Sequence, residues 1–236
     1  MVKEIWRVYI FIFTLNFKVL FMNAENSSLE TLQDIKRMME RSSRFISLSG
    51  LSGVSAGISA LIGAWIANKW LMEYYQLYNA RGDYYAGDFH ELKSRFIMLA
   101  LAIVAVALVS SFYFTWSKAK KNKLPIWDHT TKKLLINLII PLAAGGLFVL
   151  GLLYHNDWHF VAPACLIFYG LALVNASKYT LSEIRYVGII EILLGAVNMY
   201  FAEYSLWFWA FGFGIVHIVY GLIMWWRYDR KAADTQ

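Results

Sequence analysis

The chain has 236 residues, of which 59% are hydrophobic and 16% charged, with a formal net charge of +6. Charge this sparse, against roughly 25% in soluble domains, excludes an ordinary soluble enzyme and assigns the basic excess to membrane orientation rather than to nucleic acid. The one cysteine, Cys165, excludes an intramolecular disulfide.

The amino-terminal segment, 1–26, is poorly defined. Ile5 to Phe21 is apolar but interrupted by Arg7, Asn16 and Lys18, and no cleavage site of the signal-peptide type follows it. Synthesis is therefore expected to begin at Met22. Over 27–44 an amphipathic helix is expected at the cytoplasmic surface. Ser27 and Glu30 form a capping box, Leu29, Leu32, Ile35 and Met39 share one face, and the basic side suits anionic headgroups.

From 45 to 228 six apolar stretches follow: Phe45 to Ala67, Phe96 to Trp116, Leu134 to Tyr154, Phe160 to Ala176, Tyr186 to Phe201 and Leu206 to Trp226. A backbone in hydrocarbon must satisfy its own amides, and continuous runs lack the alternation of a barrel. The expected fold is all-α: a polytopic domain of six transmembrane helices, closed by a tail at 229–236. Basic residues fall on one side of the membrane if the chain crosses six times. Lys36, Arg37, Arg41 and Arg44 precede span one, Lys118, Lys120, Lys121, Lys123, Lys132 and Lys133 lie between spans two and three, Lys178 and Arg185 follow span four, and Arg227, Arg230 and Lys231 follow span six. The positive-inside bias then makes both termini cytoplasmic. On the other side a mixed loop, Asn68 to Arg95, is expected, its tyrosines consistent with interfacial helices extending from spans one and two and Arg81-Gly82-Asp83 forming a turn.

Span one carries three rows of small residues: Ser52, Ala56, Ala60 and Ala64; Ser55, Ser59, Gly63 and Ala67; and Ser49, Gly53 and Gly57. Such rows let backbones approach, so this helix is expected at the bundle centre or at a homo-oligomer seam, with Leu51, Val54, Ile58, Leu61 and Trp65 toward lipid. Gly53-Val-Ser55-Ala-Gly57 fits the G-x-S-x-G pattern of serine hydrolases, but a spanning helix cannot supply the strand-to-helix turn that motif needs. Rhomboid proteases, which share a six-helix core and a last-helix histidine, carry their serine on span four. Here that helix has no serine until its end.

Spans five and six hold the candidate site. Gly188, Glu191, Gly195, Asn198 and Ala202 share one face of span five, and Ala210, Gly214, His217 and Gly221 share one of span six. An ionisable group inside a span is a functional hypothesis by default, and rises of about 1.5 Å per residue put Glu191 and His217 at depths that let them meet. Asn137, Asn175, Ser110 and Ser111 are the other polar partners available. In the outer segments His155, Asp157 and His159, with Asp88, His90 and Glu91, have a weak metal-ligand pattern that also reads as a solvated aromatic belt around Trp158. No metal, cofactor or catalytic residue is expected. Tyr169-Gly170-Leu171 and Tyr220-Gly221-Leu222 repeat one pattern on spans four and six.

RFISLSGLSGVSAGISALIGAW and IFYGLALVNASKYTLSEIRYVGIIEILLG resemble segments of a family of small, uncharacterised bacterial six-span membrane proteins. The resemblance covers roughly Leu29 to the carboxyl terminus. It implies the bacterial inner membrane, supports Met22 as the start and brings no catalytic motif. The expected function is that of a non-enzymatic structural, sensory or regulatory membrane component, with a small proton- or ion-linked transporter or channel using Glu191 and His217 as the alternative.

Overall fold

The computed structural model describes residues 49–81, 86–122 and 126–230. The capping box, the amphipathic helix, the Met22 start, the Arg81-Gly82-Asp83 turn, the start of span one and the end of the tail all fall outside these residues. Among the described residues every regular element is helical, in agreement with the all-α expectation.

Six rods follow in order: α1 (Gly50–Arg81), α2 (Ala86–Lys121), α3 (His129–His155), α4 (Val161–Ala176), α5 (Ile184–Asn198) and a composite α6 (205–230). Among the described residues five helical stretches are long and apolar enough to cross a membrane: Gly50–Ala80, Phe89–Lys121, His129–His155, Trp158–Tyr179 and Ala202–Arg230. The helix of expected span five is the exception. Its 15 residues extend about 22 Å, short of a hydrocarbon core about 30 Å thick.

The region between spans one and two is mostly helical, as its tyrosines suggested. Helices α1 and α2 continue through most of the segment from Asn68 to Arg95. Their 32 and 36 residues give about 48 and 54 Å, more than a bilayer core requires. The reason is local: 69–80 contains no glycine or proline, so nothing in the chain stops the helix where hydropathy falls. Arg95 bonds Glu91 at 2.6 Å one turn away and approaches Glu73 of α1 at 4.0 Å, while Trp70 stacks on Phe96.

Helix α3 starts where Asp128 accepts the Thr131 backbone N–H at 2.7 Å. Burial pushes the Asp128 carboxyl up, but the bonds from Thr131 outweigh it and hold the group below its ordinary value. The helix ends at Asn156, whose φ of 65° is the left-handed conformation that asparagine tolerates.

The small-residue rows of α1 serve two neighbours. Ser55 Oγ bonds Ser110 Oγ of α2 at 3.1 Å, and Gly63 lies against Ile103. On the opposite side Gly50, Gly53 and Gly57 meet the backbone of α6 so closely that a Cβ at Gly57 would stand 2.6 Å from the Gly214 carbonyl. The large stripe divides accordingly. Leu51, Ile58, Ile62 and Trp65 are exposed, whereas Val54 and Leu61 turn inward onto Gly221 and Gly214. A second copy docking on those rows would have to displace α2 or α6. Ser55, centre of the G-x-S-x-G pattern, sits in mid-helix and also bonds the Ser52 carbonyl at 3.0 Å.

Helices α4 and α5 form the tightest hairpin. Gly170 and Gly188 face each other reciprocally: a Cβ at either would lie 2.5 or 2.7 Å from the other's carbonyl oxygen. The repeated Tyr-Gly-Leu pattern thus marks two helix crossings, Gly170 against α5 and Gly221 against the start of α1.

Candidate functional site

A polar centre forms where α4, α5 and α6 converge. The α5 face expected from spacing is buried at Gly188, Glu191, Gly195 and Asn198. Glu191 and Asn198 are wholly inaccessible. On α6 the histidine expected to face them, His217, is buried as well, and its Nδ1 stands 3.5 Å from Glu191 Oε1.

The local geometry of α6 decides how they meet. Ala210–Val216 is a π-helix, so an extra residue is accommodated in the turn preceding His217. His217 Nδ1 lies 3.0 Å from the Gly212 carbonyl, five residues back, and because a carbonyl only accepts, we assign the ring proton to Nδ1. The other nitrogen, Nε2, lies 2.8 Å from Tyr169 Oη on α4, and in the neutral ring it accepts the phenol O–H. Tyr169 and Phe213 flank the imidazole with ring centroids 5.4 and 5.9 Å away.

Glu191 is left with less. Neither of its oxygens has a hydrogen-bond partner, and Nδ1 of His217 is directed to Gly212. The carboxyl rests against Gly212, where a Cβ would come within 2.5 Å of Oε2 and 2.6 Å of Leu166 Cδ2. A side chain at that position would require the Glu191 and Leu166 side-chain ends to shift. A buried carboxyl without a protein donor keeps its full desolvation cost.

The remaining candidates lie elsewhere. Asn198 Oδ1 accepts from Ser205 Oγ at 3.1 Å while its Nδ2 has no partner; seven residues from Glu191, it is about 10 Å further along the helix. Asn175 clamps α4 to α3 through the Asn137 carbonyl at 2.9 Å, and the Asn137 side chain bonds back to the Lys133 carbonyl at 2.8 Å. Neither reaches Glu191. Ser110 is spent on Ser55. Near the α3–α4 turn Lys93 bonds the Asn156 side chain and covers the Trp158 ring at 4.9 Å. Among the described residues no three His, Cys, Asp or Glu side chains converge to hold a metal ion.

Tyr169 and Gly212 were not legible as site residues. Tyr169 stood out as part of a repeated tripeptide, but nothing in the pattern aims it at His217. Gly212 was hidden because ordinary helical spacing back from His217 selects Gly214 and Ala210. The π-turn moves Gly212 to the α5 side and leaves Gly214 packed on Leu61 of α1. Compared with known proteins, the chain matches no family model, no curated protein and no solved structure.

Proposed function

We propose that the chain is a non-enzymatic, multi-pass protein of the bacterial cytoplasmic membrane, crossing six times with both termini inside, in which Glu191 and His217 exchange a proton and so regulate the packing of α4, α5 and α6. Membership of the family of small six-span proteins that its segments resemble is part of the same reading. Support for six crossings comes from the alternation of basic segments and from the pairing of α4 with α5 as an antiparallel hairpin. The short α5 then crosses with help from the turns at its ends, 182–183 and 199–200.

The observation that carries the functional reading is the Glu191 carboxyl, sealed in the helix interior with both oxygens unbonded and an imidazole 3.5 Å away. A carboxyl kept only for structure would be satisfied; one that must gain and lose a proton cannot be satisfied equally in both states. The groups facing it from the packed elements are Tyr169 on α4 and His217 on α6, with Gly212 and Leu166 closing the space. The π-helical turn beside the pair favours a second use, proton-linked transport, because such a turn can rewind and shift register at a functional site.

Infrared difference spectra of the reconstituted protein between two pH values should contain a carboxyl band that Glu191→Gln removes. A spectrum without that band, or one unchanged by the substitution, would sink the proposal. Proton flux into vesicles, present in the wild type and lost in Glu191→Gln, would assign transport; a titrating band without flux would assign regulation.

A further inference from the structure

At the basic end of the bundle, away from the Glu191 centre, the start of α1 and the ends of α2 and α6 enclose a cleft of about 320 Å³. Its charges are unbalanced. Asp229 is the one acid among the lining residues, and it is already engaged: Oδ1 meets Lys118 Nζ at 2.7 Å, and Oδ2 accepts from Ser49 Oγ at 3.2 Å and from the Gly50 N–H at 3.0 Å. Lys121 and Arg230 also line the cleft and are exposed, so two positive charges exceed the acid. Ser117 and Asn122 add hydroxyl and amide groups beside them.

Each of the three helices also adds an apolar residue to the lining, Leu51, Phe114 and Trp225, and Leu51 opens the exposed row Leu51, Ile58, Ile62 and Trp65 that runs along α1 away from the cleft. Spacings of seven, four and three residues keep those side chains on one helix face. A cationic pocket continuous with an apolar gutter along a membrane-spanning helix matches a molecule with an anionic head and a hydrocarbon tail.

We infer that this cleft binds an anionic phospholipid, its phosphate between Lys121 and Arg230 and one acyl chain along the Leu51 row. The Asp229 contacts serve to hold the three helix ends in place around it. A free phosphate would use the charges but not the gutter, which is why the lipid is the occupant.

The full chain, purified in detergent, can be tested by native mass spectrometry with phosphatidylglycerol, phosphatidylcholine or inorganic phosphate. Phosphatidylglycerol should be retained in preference to phosphatidylcholine. Lys121→Gln with Arg230→Gln should weaken its binding roughly 30-fold, from the loss of two basic contacts at the membrane surface. The equally basic pair Lys132→Gln with Lys133→Gln should leave retention unchanged. Ser117→Phe, which fills the cleft without altering charge, should also displace the lipid. Equal retention of the two lipids, wild-type binding by the Lys121/Arg230 double variant or by Ser117→Phe, or equal thermal stabilisation by inorganic phosphate alone would each overturn the assignment.

Discussion

Replacing His217 alone should cost more than replacing Glu191 and His217 together. With Glu191 Oε1 and His217 Nδ1 3.5 Å apart, a charged pair would interact by up to about 5 kcal/mol at an effective dielectric of about 20. Breaking a buried pair typically costs about 3–5 kcal/mol, because the group left behind keeps its desolvation penalty. Glu191→Leu leaves His217 still bonded to Gly212 and Tyr169, so its loss should fall at or below the low end of that range. His217→Leu leaves the carboxyl with no polar neighbour at that distance, so its loss should reach the high end. In the double variant both groups are gone and leucine fills apolar space, so the loss should be smaller than that of His217→Leu alone. Equilibrium unfolding of the four proteins in one detergent gives the cycle. Strictly additive losses, within about 0.5 kcal/mol, would show that the pair does not interact and would remove the basis of the proton-exchange reading.

Three further outcomes follow from the same geometry. Tyr169→Phe removes the donor to His217 Nε2 and should destabilise by about 1–3 kcal/mol in thermal unfolding, whereas an effect below about 0.5 kcal/mol would mean the 2.8 Å contact is not a working hydrogen bond. Gly170→Ala should cost about 1–3 kcal/mol by forcing apart backbones that a Cβ would approach to 2.5 Å, while Gly146→Ala, with nothing within 4 Å, should cost nothing; similar losses at both would refute the tight α4–α5 crossing. For Glu183 burial pushes the carboxyl up, but bonds from Tyr228 at 2.6 Å and from its own backbone, the Arg227 charge and Ser182 together hold it below its ordinary value. Its stabilisation is therefore complete at neutral pH and lost as pH falls through that lowered value, so the melting temperature of Glu183→Gln should lie below wild type at neutral pH and converge with it in acid.

The features legible in the sequence were those set by a regular period. Continuous apolar runs gave helices, and the i, i+3, i+7 spacing on α5 put Gly188, Glu191, Gly195 and Asn198 on one buried face. Three small rows on α1 foretold close approach, and two of them meet α2 and α6. Legibility failed where a period changed or where two signals diverged. Hydropathy falls after Ala67 while helix propensity does not, so the membrane-crossing length and the helix length of α1 differ, and only the former is written in hydropathy. On α6 the π-helical Ala210–Val216 breaks the spacing on which a face can be predicted. Long-range pairing was legible only where helix depth brought Glu191 and His217 together; nothing near Asp229 in sequence announces that it closes the start of α1, 179 residues away.

The π-turn and the unbonded carboxyl explain each other. An uninterrupted α-helix through Ala210–Val216 would rotate Gly212 away from α5, and some other residue would then meet the Glu191 carboxyl. All the neighbours of Gly212 from Ala210 to Val216 except Gly214 carry side chains, so the carboxyl would lose its space. The wide turn also places the Gly212 carbonyl under His217 Nδ1, so the Nδ1 proton goes to Gly212 rather than to Glu191. The same backbone feature thus makes room for an acid and withholds its bond. If α6 rewinds to regular α-helix, the Gly212 carbonyl recedes from Nδ1 and Glu191 is displaced in the same step, so the Nδ1 proton and the carboxyl are released together. Proton position and helix register would then change together, which is the coupling a proton-responsive membrane protein requires.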